Sequence, residues 1–213
     1  MPSVSSLPPV LLLASASPRR RELLWQIGVP HRIAPAGIDE RRQPGETPAD
    51  CVRRLALAKA DAAWRHELPV LGADTAVVAD GEMLGKPATA AEAAAMLARL
   101  AGRVHEVLTA VALIGARGRE LLLSRSEVRF RELAPAECAR YWQSGEARDK
   151  AGGYAIQGLA AVFVSELRGS YSGVMGLPLF ETAALLDAAG VPRWQIAGAA
   201  VAGAAADVAE GAG

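Results

Sequence analysis

The stretch Val10-Leu11-Leu12-Leu13-Ala14-Ser15-Ala16-Ser17-Pro18-Arg19-Arg20-Arg21 is the point from which the chain is organised. Val10 to Leu13 is a short apolar run of the kind that forms a buried strand. Glu22-Leu23-Leu24-Trp25-Gln26-Ile27 reads as the body of a helix that Gly28 ends. Ser17 falls where an N-cap belongs, and Pro18 takes the first helical position, where a missing N–H costs nothing. Three arginines then occupy the first helical turn, against the macrodipole, which favours anions there. A bound anion would reverse that penalty, because free N–H groups, the hydroxyls of Ser15 and Ser17 and guanidinium forks would converge on a phosphate-sized target. A solvated basic turn is the alternative, and this stretch alone leaves both open.

Composition narrows the setting. The 213 residues, 51% of them hydrophobic, are enough for one large domain or two joined lobes with a real core. Lysine plus arginine balances aspartate plus glutamate at 23 each, which argues against nucleic-acid or anionic-membrane binding by bulk charge. Cys51 and Cys138 stand far apart, without companions at metal-binding or redox spacing, so two plain thiols in a reducing cytoplasmic setting are expected. Val10 to Ala16 imitates a signal peptide, but its apolar run is too short and no basic residue precedes it. The Ala/Gly-rich segment 197–213 is expected to be a disordered tail behind a single domain spanning 1–196. Only Lys59, Lys86 and Lys150 are lysines in a chain that otherwise uses arginine, so they are candidates for positions needing a compact point charge.

Read in order, His31 to Ala34 is a short strand and residues 35–45 a loop carrying Asp39-Glu40, adjacent acids that could hold a divalent cation or be solvated charge. Thr47-Pro48 opens a helix in which Val52, Leu55 and Lys59 share a face, so the lysine either snorkels or enters a polar pocket. Val70 to Val78 is a strand interrupted by Asp74, followed by the tight-turn signal Asp80-Gly81 and a return arm, Glu82 to Leu84. A half-buried acid needs a metal, a lysine or several donors, and Lys86 is its expected neighbour; a turn or bulge residue bonding its own backbone is the alternative. Thr89 caps a helix running through Leu100, and Val104–Ile114 and Leu121–Phe130 form a hairpin. Pro135 to Gln143 is helix. Asp149-Lys150-Ala151-Gly152-Gly153-Tyr154-Ala155-Ile156-Gln157-Gly158 is a loop whose glycines permit close approach to a ligand. Leu159 to Val164 reads as strand, Gly169 to Pro178 as loop and Leu179 to Ala189 as the last helix. G-x-S-x-G fails at Tyr171, and the P-loop, G-x-G-x-x-G and H-E-x-x-H motifs are absent.

These pieces describe a site for a polyanion with a polar head group, for which a nucleotide is the economical choice. Ser15-Ala16-Ser17-Pro18-Arg19-Arg20, Gly72-Ala73-Asp74-Thr75, Gly85-Lys86-Pro87, Asp149-Lys150-Ala151-Gly152 and Gly169-Ser170-Tyr171 through Gly176-Leu177-Pro178 together resemble the Maf family of nucleoside triphosphate pyrophosphatases, once described as septum-formation inhibitors. The resemblance spans roughly residues 10–190. It implies an α/β fold of the inosine-triphosphatase-like (Maf/Ham1) type: a long twisted mixed sheet flanked by helices, with a cleft between two lobes. It also implies a divalent cation (Mg2+, Mn2+ or Co2+) and a cytoplasmic homodimer. Position by position, Asp74 corresponds to the proton acceptor. Ser15, Ser17, Arg19, Arg20, Lys59 and Lys86 stand on the phosphate side, while Glu40 with Asp74 stands at the metal. Arg19, Thr75 and Gln157 correspond to positions linked with base choice, and Arg21 has no counterpart and is expected to be solvated. The segments around Asp74 and Gln157 resemble the branch acting on dTTP and UTP. A 7-methyl-GTP pyrophosphatase, a nucleotide-binding cell-division regulator without hydrolysis and a phosphomonoesterase remain the alternatives.

Overall fold

The computed structural model describes residues 7–195; the expected tail 197–213 and residues 1–6 and 196 of the expected 1–196 domain lie outside them. Seven strands form one mixed sheet in the order β2-β1-β3-β5-β6-β7, with β4 on β3. The strands are β1 (Leu11–Leu13), β2 (His31–Ile33), β3 (Val70–Ala79), β4 (Glu82–Leu84), β5 (Val104–Gly115), β6 (Gly118–Phe130) and β7 (Val164–Arg168). β1 runs parallel to both β2 and β3, and the remaining pairings are antiparallel. The helices are α1 (Pro18–Gln26), α2 (Pro48–Ala63), α3 (Ala90–Leu100), α4 (Pro135–Gln143), α5 (Tyr171–Met175) and α6 (Leu179–Ala189).

Most elements follow from local chemistry. The Thr47 hydroxyl accepts from the Asp50 N–H and the Thr89 hydroxyl from that of Glu92, so both caps form as the side chains dictate. Asp80 and Gly81 take φ of 53° and 78°, the two left-handed residues that a tight hairpin turn requires. Two expectations change. Leu159–Phe163 is a 3-10 helix rather than a strand, because the Glu146 carboxylate accepts from the Leu159 and Ala160 N–H groups and turns the backbone there. The loop 169–178 contains α5, whose start is capped by the Ser170 hydroxyl accepting from Gly173.

Side chains of β3 alternate between faces, and the core alternates with them. Val70, Ala76 and Val78 join Val52, Ala56 and Ala60 of α2 in one apolar cluster. On the opposite face Leu71 and Ala73 pack with Leu23 and Leu24 of α1 and Leu185 and Leu186 of α6. Further along that face, Val77 and Ala79 belong to a third cluster with Leu97, Leu100, Phe130 and Tyr141. Thr75 therefore lies at the seam between two apolar lobes, and Asp74 on the α2 face between Gly72 and Ala76. α2 approaches β3 closely at Gly72, where an added Cβ would collide with the Ala56 carbonyl and lie 2.8 Å from the Ala60 nitrogen. One edge of β3 is covered by β1 only as far as Leu71 and by β4 only from Val77, while β5 covers the other edge throughout. That notch is where a ligand can approach the strand.

His105, the second residue of β5, is buried, its Nε2 2.8 Å from the Tyr154 hydroxyl. Burial pushes its pKa down to about 4. An unfolded chain binds this proton more readily, so the neutral histidine's contribution is complete above about pH 6.5 and is lost as pH falls toward 4. The loss is about 3 kcal/mol by the usual conversion. Calorimetric melting across that window should show the decline, and His105→Gln should flatten it. Gly72→Ala should cost about 3 kcal/mol, since backbone rather than a flexible side chain occupies the space, and denaturant titration measures that loss.

Candidate active site

Arg20 is the first group to place. It is half-buried at the start of α1, where its Nε donates to the Gly176 carbonyl at 2.7 Å, Nη1 to the Ser15 hydroxyl and Nη2 to the Thr75 hydroxyl, both at 3.2 Å. The Ser15 hydroxyl also accepts from the Ser17 N–H. Three of the five guanidinium N–H groups are thereby committed and two remain. Burial lowers the Arg20 pKa, and Asp74 opposes that change. Gly176 has φ 118°, a left-handed backbone that favours glycine, and this turn brings its carbonyl to Arg20 Nε. Arg19 donates to the neighbouring Met175 carbonyl at 3.3 Å.

The acids lie across the notch. Lys59, 8% exposed on α2, places its ammonium 2.7 Å from Asp74 Oδ1 and 2.7 Å from Glu40 Oε1. The Asp74 side chain is 13% exposed and that of Glu40 54%. Burial raises the Asp74 pKa against the pull of Lys59 and Arg20, whereas the bond from Lys59 lowers that of Glu40. The same lysine thus holds two carboxylates of opposite tendency. The acid's partner is Lys59, not the expected Lys86, because α2 brings its apolar face, with Lys59 on it, against the same side of β3. Lys86 is exposed but close enough to Glu40 and to Lys150 to influence both. Lys150 has its pKa lowered, first by burial and next by Arg19. Arg19, Lys86 and Lys150 accordingly form a rim of like charge whose repulsion an anion would relieve.

Magnesium is held through one or two carboxylates together with substrate phosphate oxygens rather than by an all-protein cage. Glu40 and Asp74 converge on one ammonium, a point already suited to positive charge, and this donor set fits such an ion. Among the described residues no group of three or more His, Cys, Asp or Glu side chains converges.

Other candidates are placed differently. Ser17 occupies the N-cap of α1, but its hydroxyl makes no capping bond. Arg21 is not the solvated residue expected: it is half-buried with its guanidinium 4.9 Å from the Trp25 ring centre. Gln157 is exposed on the turn after Ile156, outside the hydrogen bonds that join Arg20 to Thr75 and Lys59 to Asp74. Gly152, expected to admit a ligand, instead admits β3, since a Cβ would lie 2.8 Å from a Val77 methyl. Sequence reasoning missed Thr109, buried on β5, whose hydroxyl meets Thr75 Oγ1 at 3.0 Å and the Gly173 carbonyl at 2.8 Å. A hydroxyl inside the apolar run Val107-Leu108-Thr109-Ala110-Val111 was the available signal. A cavity of about 260 Å3 lined by Trp64, His66, Pro69 and Arg117 shares no residue with this cluster.

A mixed α/β fold with hydroxyls, guanidinium groups and a lysine-paired acid around a notch in the sheet is chemistry suited to an anion such as a phosphate. The profile of the family described as "Maf-like protein" matches residues 10–189, and the chain belongs to the Maf family. A dTTP/UTP pyrophosphatase of Bordetella parapertussis is 56% identical over 195 residues, covering 86% of this chain and 94% of the relative. The dTTP/UTP pyrophosphatase of Hahella chejuensis is 52% identical over 189 residues, with the same coverage of both chains. Among solved structures, a HAM1 protein from Coxiella burnetii aligns with 58% of this chain and 73% of its own at 20% identity and a TM-score of 0.36. No helix among the described residues is long and apolar enough to cross a membrane.

Lys59→Met should raise the Asp74 pKa further by removing the cation that favours its charged form. Carboxyl-carbon NMR titration reads this directly, and an unchanged titration would deny Lys59 control of the acid.

Proposed function

We propose that the chain is a nucleoside triphosphate pyrophosphatase, hydrolysing dTTP and UTP to the monophosphate and pyrophosphate. The observation that carries this reading is Asp74, a carboxyl raised in pKa by burial, paired with Lys59 at 2.7 Å and lying at the uncovered edge of β3. The substrate choice follows the dTTP/UTP pyrophosphatases of Bordetella parapertussis and Hahella chejuensis, which are more than half identical to this chain over 86% of its length.

In this mechanism the Asp74 carboxylate takes a proton from water as the water oxygen bonds to the α-phosphorus. The bond from that phosphorus to its bridging oxygen breaks, and pyrophosphate leaves with the electron pair. A pKa raised by burial makes the Asp74 carboxylate a stronger base toward that water. Lys59 fixes the orientation of Asp74. Arg19, Lys86 and the two uncommitted N–H groups of Arg20, with the hydroxyls of Ser15 and Ser17, meet the phosphates and stabilise charge on the leaving group. Glu40 and Asp74 would hold a divalent cation (Mg2+, Mn2+ or Co2+), which when bound neutralises charge on phosphate oxygens. Arg19, Thr75 and Gln157 are assigned to the base: a glutamine amide can donate to O4 of uracil or thymine while an acceptor beside it takes the N3–H. A homodimer working in the cytoplasm completes the reading.

Pyrophosphate release measured across a nucleotide panel tests it. Activity with dTTP and UTP is expected; orthophosphate as the product, or activity confined to 7-methyl-GTP, would overturn it. Asp74→Asn should reduce kcat by about 100-fold or more while leaving nucleotide binding intact. Unchanged turnover would remove Asp74 from this role.

A further inference from the structure

The hydroxyls of Thr75 and Thr109 face each other in register across β3 and β5, and they lie between two groups of fixed character. At one end Arg20 Nη2 can only donate to Thr75. At the other the Gly173 carbonyl can only accept from Thr109. Each threonine has one proton. Thr109 gives its proton to Gly173, so the proton between the two hydroxyls must come from Thr75. The chain therefore has one direction: Arg20 to Thr75, Thr75 to Thr109, Thr109 to Gly173.

We propose that Thr109 is a positioning residue for substrate selection: it holds the Thr75 proton away from the notch. Thr75 then presents the nucleotide with an acceptor lone pair alone. An acceptor suits a ring N–H such as N3–H of uracil or thymine and is mismatched to the bare N3 of cytosine. This rests on the dTTP/UTP reading above. Thr109 is 1% exposed and touches no substrate itself; it acts through Thr75. The Gly173 carbonyl also accepts from the Gly176 N–H at 2.9 Å, so removing the threonine hydroxyl does not leave that carbonyl unpaired.

The test is kcat/KM for UTP, dTTP, CTP and dCTP with wild-type protein, Thr109→Val and Thr109→Ser, alongside melting temperatures. Without the Thr109 acceptor the Thr75 hydroxyl can rotate and donate. Preference for uracil and thymine over cytosine should then fall about fivefold in Thr109→Val, the factor one ordinary hydrogen bond commands. Thr109→Ser should restore it. If Thr109→Val does not fold, Thr109→Ala removes the same hydroxyl and must show the same fall. An equal loss on all four nucleotides, or no rescue by serine, would mean that Thr109 serves stability alone and overturns the proposal. Wild-type protein with robust pyrophosphatase activity but no preference for uracil and thymine overturns both the substrate reading and this inference. A preference intact in both wild type and Thr109→Val overturns this inference only.

Discussion

Arg20 joins three segments that are remote in sequence: the turn after β1 through Ser15, the middle of β3 through Thr75 and the loop after α5 through Gly176. A half-buried guanidinium is costly unless its donors are matched, and here three different acceptors match them. The arrangement ties the entry of α1 to the strand carrying Asp74 and to the loop above it. It also settles the misfit of an arginine at a helix N-terminus. The Arg20 charge is turned away from the helix end toward carbonyl, hydroxyl and carboxylate, so the macrodipole is not its main environment.

The sheet supplies the opening in which this happens. β1 stops at Leu71 of β3 and β4 starts at Val77, leaving the Asp74 neighbourhood without a strand on that side. Ligand sites in α/β sheets commonly lie beyond strand ends, where loops and helix N-termini diverge. Successive residues of β3 then serve different neighbours: Asp74 faces α2 and its lysine, Thr75 faces α1 and its arginine. One strand thereby places the acid and the hydroxyl on two sides of a single notch.

Much of the fold was legible locally. Thr47, Thr89, the Asp80-Gly81 turn and the long β5–β6 hairpin act within a few residues, and local signals of that kind survive folding. The failures have identifiable causes. Leu159–Phe163 looks like a strand by composition, but a carboxylate 13 residues upstream bonds its N–H groups. Gly152 looks like a ligand glycine, yet the neighbour it accommodates is Val77. Arg21 looks solvated until Trp25, one turn further along α1, offers its ring face.

The sequence by itself determined the order of elements, the family resemblance and the set of groups suited to phosphate chemistry, because motif residues and caps are read along the chain. Tertiary structure alone decided which groups meet. Lys59 rather than Lys86 partners Asp74, since helix-to-sheet packing at Gly72 sets which lysine reaches the acid. Thr109 enters the network because strand register sets it opposite Thr75. The opening stretch thus divides into Arg20, a structural tie with two N–H groups to spare, Arg19 at a cationic rim, and Arg21 against an aromatic ring. The three are adjacent in sequence, but helical geometry rotates each by about 100° from the last, so each meets a different environment.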